Sequence, residues 1–221
     1  MIRSSSGCQV DSSSQYSLVV LFGGSFDPPH LGHLEIIKRL DSSYKRVIVI
    51  PTFCNPFKAP PQAPIHTRIA WLKELCADYL RVEISDFEAR ANRVVYAIEY
   101  VRYYTSKYGE IGLALGSDAL ESLPRWREAS ELARLARIVP LMRDFKFCDT
   151  AHNVGSPQTQ KLVLEKVDSR YSTTVPLHIT GFPISSTQIR AALVRGEFER
   201  VARWVPPSIV PCVRKIYYNT H

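Results

Sequence analysis

The chain has 221 residues and a formal net charge of +7 from 28 Lys+Arg against 21 Asp+Glu, with 45% hydrophobic and 22% charged residues. That balance excludes a disordered, collagen-like or disulfide-scaffold chain, and at roughly 100–200 residues per domain it fits one domain. The basic excess calls for an anionic partner, which leaves nucleic acid, an acidic membrane surface and a phosphorylated small molecule open. Residues 1–17 are rich in serine and lack the apolar stretch of a secretory signal, so they read as a disordered extension ahead of a domain at 18–221. Residues 18–22, Leu-Val-Val-Leu-Phe, form a buried strand stopped by Gly23 and Gly24. A helix over 31–40 carries Leu34, Ile37 and Leu40 at helical spacing, and Val47 to Ile50 make a second buried strand closed by Pro51.

The pattern repeats. Residues 65–79 read as a helix with Ile69, Leu72, Leu75 and Cys76 on one face, and 80–84 alternate like a strand. Next come a helix over 96–108, a strand over 111–115 ending at Gly116, a helix over 129–136 and the apolar run 138–142. Residues 145–160 have no period and read as an irregular loop. Strands and helices in alternation, joined by short connections, predict an α/β fold with a Rossmann-like, doubly wound parallel sheet. Ligands of such sheets bind beyond the carboxyl ends of the strands, so the residues just after each strand carry the chemistry. The five cysteines, Cys8, Cys54, Cys76, Cys148 and Cys212, are scattered without a CxxC pair. That argues against a disulfide framework or a cysteine zinc site and for a reducing, cytoplasmic setting. No apolar run approaches the ~20 residues that span a bilayer, so no membrane association is expected.

Two stretches concentrate chemistry. After the first strand comes Gly23-Gly24-Ser25-Phe26-Asp27-Pro28-Pro29-His30-Leu31-Gly32-His33. The glycines let backbone approach a ligand, and the loop feeds a helix whose N-terminus attracts phosphate. His30 and His33 are three residues apart, so on a first helical turn they project from one side toward a polyphosphate. A zinc site lacks a third ligand at a suitable spacing, and no Lys follows the glycines as it would in a P-loop. Further on, Ile184-Ser185-Ser186-Thr187-Gln188-Ile189-Arg190 opens another helix, with a serine as its cap. Ser186 and Arg190, one turn apart, can meet the same phosphate.

These two stretches together resemble the nucleotidyltransferase superfamily, and within it the bacterial nicotinate-mononucleotide adenylyltransferases. Between them, Asn55-Pro56-Phe57-Lys58 takes the place of the family's Pro-Pro-His-Lys loop. Gly116-Ser117-Asp118-Ala119 with Leu123-Pro124-Arg125-Trp126 is similar to its Gly-Ala-Asp…Leu-Pro-x-Trp segment. The resemblance implies that His30, His33 and Arg190 are catalytic contacts to ATP phosphates. It implies an ATP site lined by Gly23, Gly24, Ser25, Phe26, Gly116, Asp118, Ile184, Ser185, Ser186 and Thr187, and a mononucleotide site of Lys58, Tyr96, Asp118 and Trp126. Two positions depart from the family pattern: Phe57 replaces the loop histidine, and Ala97 after Tyr96 replaces a threonine near the pyridine substituent.

The implied reaction joins nicotinate mononucleotide to ATP, giving deamido-NAD and pyrophosphate, with Mg²⁺ held mainly by the ATP phosphates and no protein metal ligand. A phosphomonoester has its second pKa near ~6, so the nucleophile is already ionised and no general base is needed. Alternatives are adenylylation of nicotinamide mononucleotide or phosphopantetheine, a tRNA-synthetase fragment suggested by His30-Leu31-Gly32-His33, and a basic nucleic-acid-binding protein. The charge favours the nucleotide reading over nucleic acid. Residues 186–221 hold six basic and two acidic side chains, so most of the +7 lies in the segment that begins within the second motif. The sequence leaves the oligomeric state open, a homo-oligomer included.

Overall fold

A computed structural model describes residues 17–56, 59–144, 171, 173–180 and 184–218. In it the apolar runs lie side by side as one sheet: β1 (Val19–Gly24), β2 (Arg46–Pro51), β3 (Val82–Ile84), β4 (Ile111–Gly116), β5 (Ala136–Asp144) and β6 (Leu177–Thr180). The order is β3-β2-β1-β4-β5-β6, and every neighbouring pair is parallel. The chain winds outward from β1 to β3, then returns to lay β4 on the other side of β1. The carboxyl ends of β1 and β4 therefore meet where the winding reverses, the place where open α/β sheets bind ligands.

Nine α-helices lie among the described residues: α1 (Leu31–Ser43), α2 (Ile65–Leu75), α3 (Phe87–Ala91), α4 (Ala97–Tyr108), α5 (Ser117–Ser122), α6 (Ala129–Leu135), α7 (Ser186–Val194), α8 (Phe198–Ala202) and α9 (Val210–Tyr218). Side chains alternate across each strand, so one apolar run serves two cores. Val20, Phe22, Val47 and Val49 pack with Ile36, Ile37 and Leu40 of α1 and Leu72 of α2. Val19, Leu21, Ile48, Ile50 and Leu113 pack on the other face with Ile98, Val101 and Tyr104 of α4 and Leu132 of α6. Each fully buried aliphatic side chain contributes roughly 1.5–3 kcal/mol by leaving water. A third cluster joins α7, α8 and α9 through Ile189, Leu193, Val201, Val213 and Tyr217, with Trp71 of α2.

Several elements differ from the sequence pattern. The helix expected over 65–79 ends at Leu75, because Tyr79 N–H turns back to Cys76 O at 3.0 Å and Val82 N–H to Tyr79 O at 3.2 Å. This tightening returns the chain to the sheet and leaves Leu80 97% exposed, so β3 keeps only three residues at the edge. The helix expected to reach 136 yields to β5 at Ala136, which already pairs with Ile111. Short α3, α5 and α8 were not legible, since five or six residues offer too little of a helical period, and β6 (Leu-His-Ile-Thr) lacks the continuous apolar run that marks β1, β2 and β4. The Ser-rich stretch except Ser17, and the loop expected over 145–160, lie outside the described residues.

Candidate active site

The loop after β1 turns sharply at Phe26, whose φ of +51° is left-handed, a conformation that costs an L-residue roughly 1–2 kcal/mol. Burial of its ring offsets this. Phe26 is 1% exposed and meets Phe22 and His33 edge-on at 5.7 and 4.9 Å. Gly24 is required beneath it, for a Cβ there would sit 2.9 Å from Phe26 Cζ. His30 then caps α1 in an extended conformation and His33 lies in the first turn. Their rings stack at 3.7 Å and 23°, on one side as the spacing requires. One expectation changes: Leu31 N–H, the first amide of α1, donates to Trp204 O at 2.9 Å rather than facing a ligand.

Asp27, 3% exposed, fastens this loop to three distant segments. Its carboxylate accepts from the N–H of Gln62 at 3.0 Å and of Ala63 at 2.9 Å, and from the Tyr217 hydroxyl of α9. Arg190 donates to Asp27 O at 2.6 Å and pairs with Asp27 Oδ2 at 3.5 Å, while its Nη2 meets Thr187 Oγ1 at 3.4 Å. Ser186 Oγ donates to Pro28 O at 3.0 Å. Ser185 caps α7 by accepting from Gln188 N–H, and the Gln188 side chain accepts from Ser185 N–H in return. The second motif is therefore clasped onto the first, with Ser186 and Arg190 both bonded to its backbone.

Behind the loop, Arg68 is 1% exposed and donates to Ser25 O at 2.6 Å, Thr52 O at 2.7 Å and Ala63 O at 2.9 Å. Burial lowers its pKa, and the Asp27 charge opposes that shift. Glu88 of α3, also 1% exposed, accepts from Phe53 N–H at 2.6 Å. Desolvation raises its carboxyl to about 7 against that hydrogen bond and the Arg68 charge.

A cavity of about 450 Å³ opens between the ends of β1 and β4. That size suits a small-molecule ligand. Gly23, Gly24, Ser25 and Gly116 contribute backbone; Tyr96, Tyr100 and Trp126 contribute aromatic wall; Glu88 and Arg127 contribute charge. Trp126 is half-buried and held by Nε1–H donating to Ser122 Oγ at 3.0 Å. Tyr96 precedes α4, its N–H bonded to Glu99 Oε1 at 3.0 Å, and the Arg127 guanidinium lies 4.8 Å over its ring.

The structure thus brings together Gly23, Gly24, Ser25, Tyr96, Gly116 and Trp126 at the cavity. It groups Phe26, His30, His33, Ser186, Thr187 and Arg190 on the continuation of the same loop and the helix start clasped to it, outside the cavity lining. Ser185 serves as an exposed helix cap and Ile184 as a core residue, 4% exposed. Asp118 is exposed on the first turn of α5 and does not line the cavity. Lys58 and Phe57 lie outside the described residues. Asp27, Arg68, Glu88, Arg127 and Tyr217 join the site through tertiary contacts that local sequence pattern does not show. A signal existed for Arg68, a cation between Ile65, Ile69 and Leu72 on the buried stripe of α2.

Among the described residues, no three His, Cys, Asp or Glu side chains cluster to hold a metal, and no helix is long and apolar enough to cross a membrane. The family model described as cytidylyltransferase-like matches residues 21–192. The protein named probable nicotinate-nucleotide adenylyltransferase of Sulfurimonas denitrificans is 42% identical over 128 residues, 57% of this chain and 70% of that one. Its namesake from Nitratiruptor sp. is 42% identical over 131 residues, covering 57% and 73%. Among solved structures, nicotinic acid mononucleotide adenylyltransferase of Plasmodium falciparum, complexed with NaAD, superposes with a TM-score of 0.69. It covers 93% of this chain and 97% of that one at 16% identity, a likeness of fold.

Proposed function

We propose a function from one premise: the chain belongs to the cytidylyltransferase-like family. It is a nicotinate-nucleotide adenylyltransferase of NAD biosynthesis, in keeping with its named relatives. One observation carries the assignment of the site: a stacked histidine pair, clasped to a serine–arginine helix start, follows the loop whose Gly23, Gly24 and Ser25 line an aromatic cavity at the turning point of the sheet. The histidine side takes the ATP triphosphate and the cavity takes the mononucleotide. An oxygen of the mononucleotide 5′-phosphate attacks the ATP α-phosphorus, a new P–O bond forms, the bond to the β-phosphate oxygen breaks, and pyrophosphate leaves.

Both reactants are anions, so catalysis consists of alignment and of neutralising charge on the phosphoryl oxygens. His30 and His33 donate to those oxygens from a fixed stack. Ser186, Thr187 and Arg190 grip the outer phosphates; a guanidinium has five donors, and its bonds to Asp27 and Thr187 leave some for an incoming anion. Mg²⁺ travels with the triphosphate. Asp27, the carboxylate of the histidine motif, does not suit it as a ligand, being committed to Arg190, Tyr217 and two backbone amides.

In the cavity the indole face of Trp126 suits a pyridinium ring. Ala97 removes a hydroxyl from this wall, and Arg127 on the Tyr96 ring supplies a positive charge to it. That charge favours a ring carboxylate over a neutral carboxamide, although Glu128 at 3.7 Å offsets part of it. The test is pyrophosphate release from ATP with nicotinate mononucleotide, nicotinamide mononucleotide or phosphopantetheine as acceptor. Release led by nicotinate mononucleotide is expected; release only with phosphopantetheine, or none, overturns the assignment.

A further inference from the structure

Helix α9 lies beyond residues 21–192, the span the family model matches, yet its last turn reaches into the first motif. Tyr217, 1% exposed, donates its hydroxyl to Asp27 Oδ1 across 190 positions of sequence. The same oxygen accepts from Ala63 N–H, whereas Oδ2 accepts from Gln62 N–H and lies 3.5 Å from Arg190 Nη1. The carboxylate is thus fixed in its plane from both ends, one oxygen toward α9 and the other toward the guanidinium. Arg190 is in turn the side chain that bridges Asp27 to Thr187.

We infer that Tyr217 is a positioning residue of the triphosphate grip, acting through Asp27 on Arg190. The inference rests on the adenylyltransferase reading and deepens it. Its hydroxyl has two effects. It holds Oδ2 in the orientation that sets the guanidinium edge, and it neutralises part of the Asp27 charge that competes with phosphate for Arg190. Burial first, then the bond to Asp27 and its negative charge, keep the phenol protonated far above the ordinary tyrosine range, so Tyr217 remains a donor at any working pH. The other groups at Asp27 are backbone amides, which cannot titrate, and Arg68, whose described hydrogen bonds go to carbonyl oxygens. A tyrosine on α9 therefore belongs to the ATP side of the site although, at 1% exposure, it is buried beneath it.

The experiment compares wild type with Tyr217→Phe, which removes one oxygen and keeps the packed ring. Titration with α,β-methylene-ATP is expected to show roughly 5–10-fold weaker binding, with the KM for ATP raised by the same factor and the KM for the mononucleotide within about 2-fold. Combined with Arg190→Lys, the losses are expected to be non-additive, because both act through one guanidinium. Should Tyr217→Phe fail to fold, Asp27→Asn, which relieves the competing charge but also removes the carboxylate oxygen that orients the guanidinium, is expected to weaken analogue binding because the lost orientation outweighs the relieved competition, and unchanged or tighter binding overturns the inference. Equal analogue affinity with an active wild type overturns the inference alone. Equal rises in both KM values, or strict additivity with Arg190→Lys, reduce Tyr217 to a structural residue and also overturn it. Wild type that binds the analogue but adenylylates no mononucleotide overturns the function alone.

Discussion

Around His30 and His33 the polar side chains reach across the chain: Asp27 to Gln62, Ala63, Arg190 and Tyr217, Ser186 to Pro28, Arg68 to Ser25 and Thr52. Around Trp126 and Tyr96 the bonds are local, to Ser122 four residues back and to Glu99 three ahead, and aromatic surface does the shaping. The first region is a lattice of buried and part-buried hydrogen bonds joining Asp27, Arg68, Ser186, Arg190 and Tyr217, so it holds its geometry before any ligand arrives. The second is an apolar hollow whose walls rest on packing and one stacked arginine. A pocket that grips a triphosphate needs fixed donors; one that selects a ring needs shape and a few charges.

This contrast can be broken by mutation. The largest effect is expected from His33→Ala, which should lower kcat by about 10²-fold or more by removing a fixed donor to the transition state, with the fold intact. Steady-state turnover beside a far-ultraviolet spectrum checks it, and near-wild-type turnover would remove the histidines from the chemistry.

Glu88 sits between the two regions and gives the next effect. Its folded carboxyl titrates near 7 while an unfolded one titrates near 4.5, so the native state binds the extra proton between those values. The stability from this group is therefore complete below pH 4.5 and lost as pH rises through 7. The groups nearest it are Arg68, which favours the ion, and Glu99, which opposes it, with Tyr100 close by. Wild type should lose about 1–3 kcal/mol between pH 5 and 8 by this route, and Glu88→Gln should lose little of it. Urea unfolding at both pH values decides, and equal slopes for the two proteins would refute the role of burial.

The smallest effect belongs to the cavity. Arg127→Gln is expected to lower kcat/KM for nicotinate mononucleotide by roughly 5-fold and to leave that for nicotinamide mononucleotide within about 2-fold, since the guanidinium is largely exposed and its charge screened. Equal losses on both substrates would mean that Arg127 merely supports Tyr96.

Much of the fold was legible because the strands are continuous β-branched runs and the long helices show an apolar stripe, patterns that burial on two faces imposes directly. The grouping within the histidine motif and within the Ser-Ser-Thr…Arg helix start was equally legible, since the residues of each lie on adjacent turns of one element. Asp118 lies exposed on α5, outside the cavity lining, so its part in the site rests on the resemblance alone. Tyr217 shows the converse, a residue on the last helix that bonds inside the first motif.

By itself, then, the sequence determined the alternation of strand and helix, the parallel winding, and the two short stretches proposed to face phosphate, because each depends on spacings of a few residues. Only the tertiary structure decided how those stretches are joined. The bonds from Asp27 to Arg190 and Tyr217, and from Arg68 to Ser25, span 163, 190 and 43 positions. Such bonds form because packing the helices on the sheet places a buried charge where it must find a partner, and no local period records which partner that is.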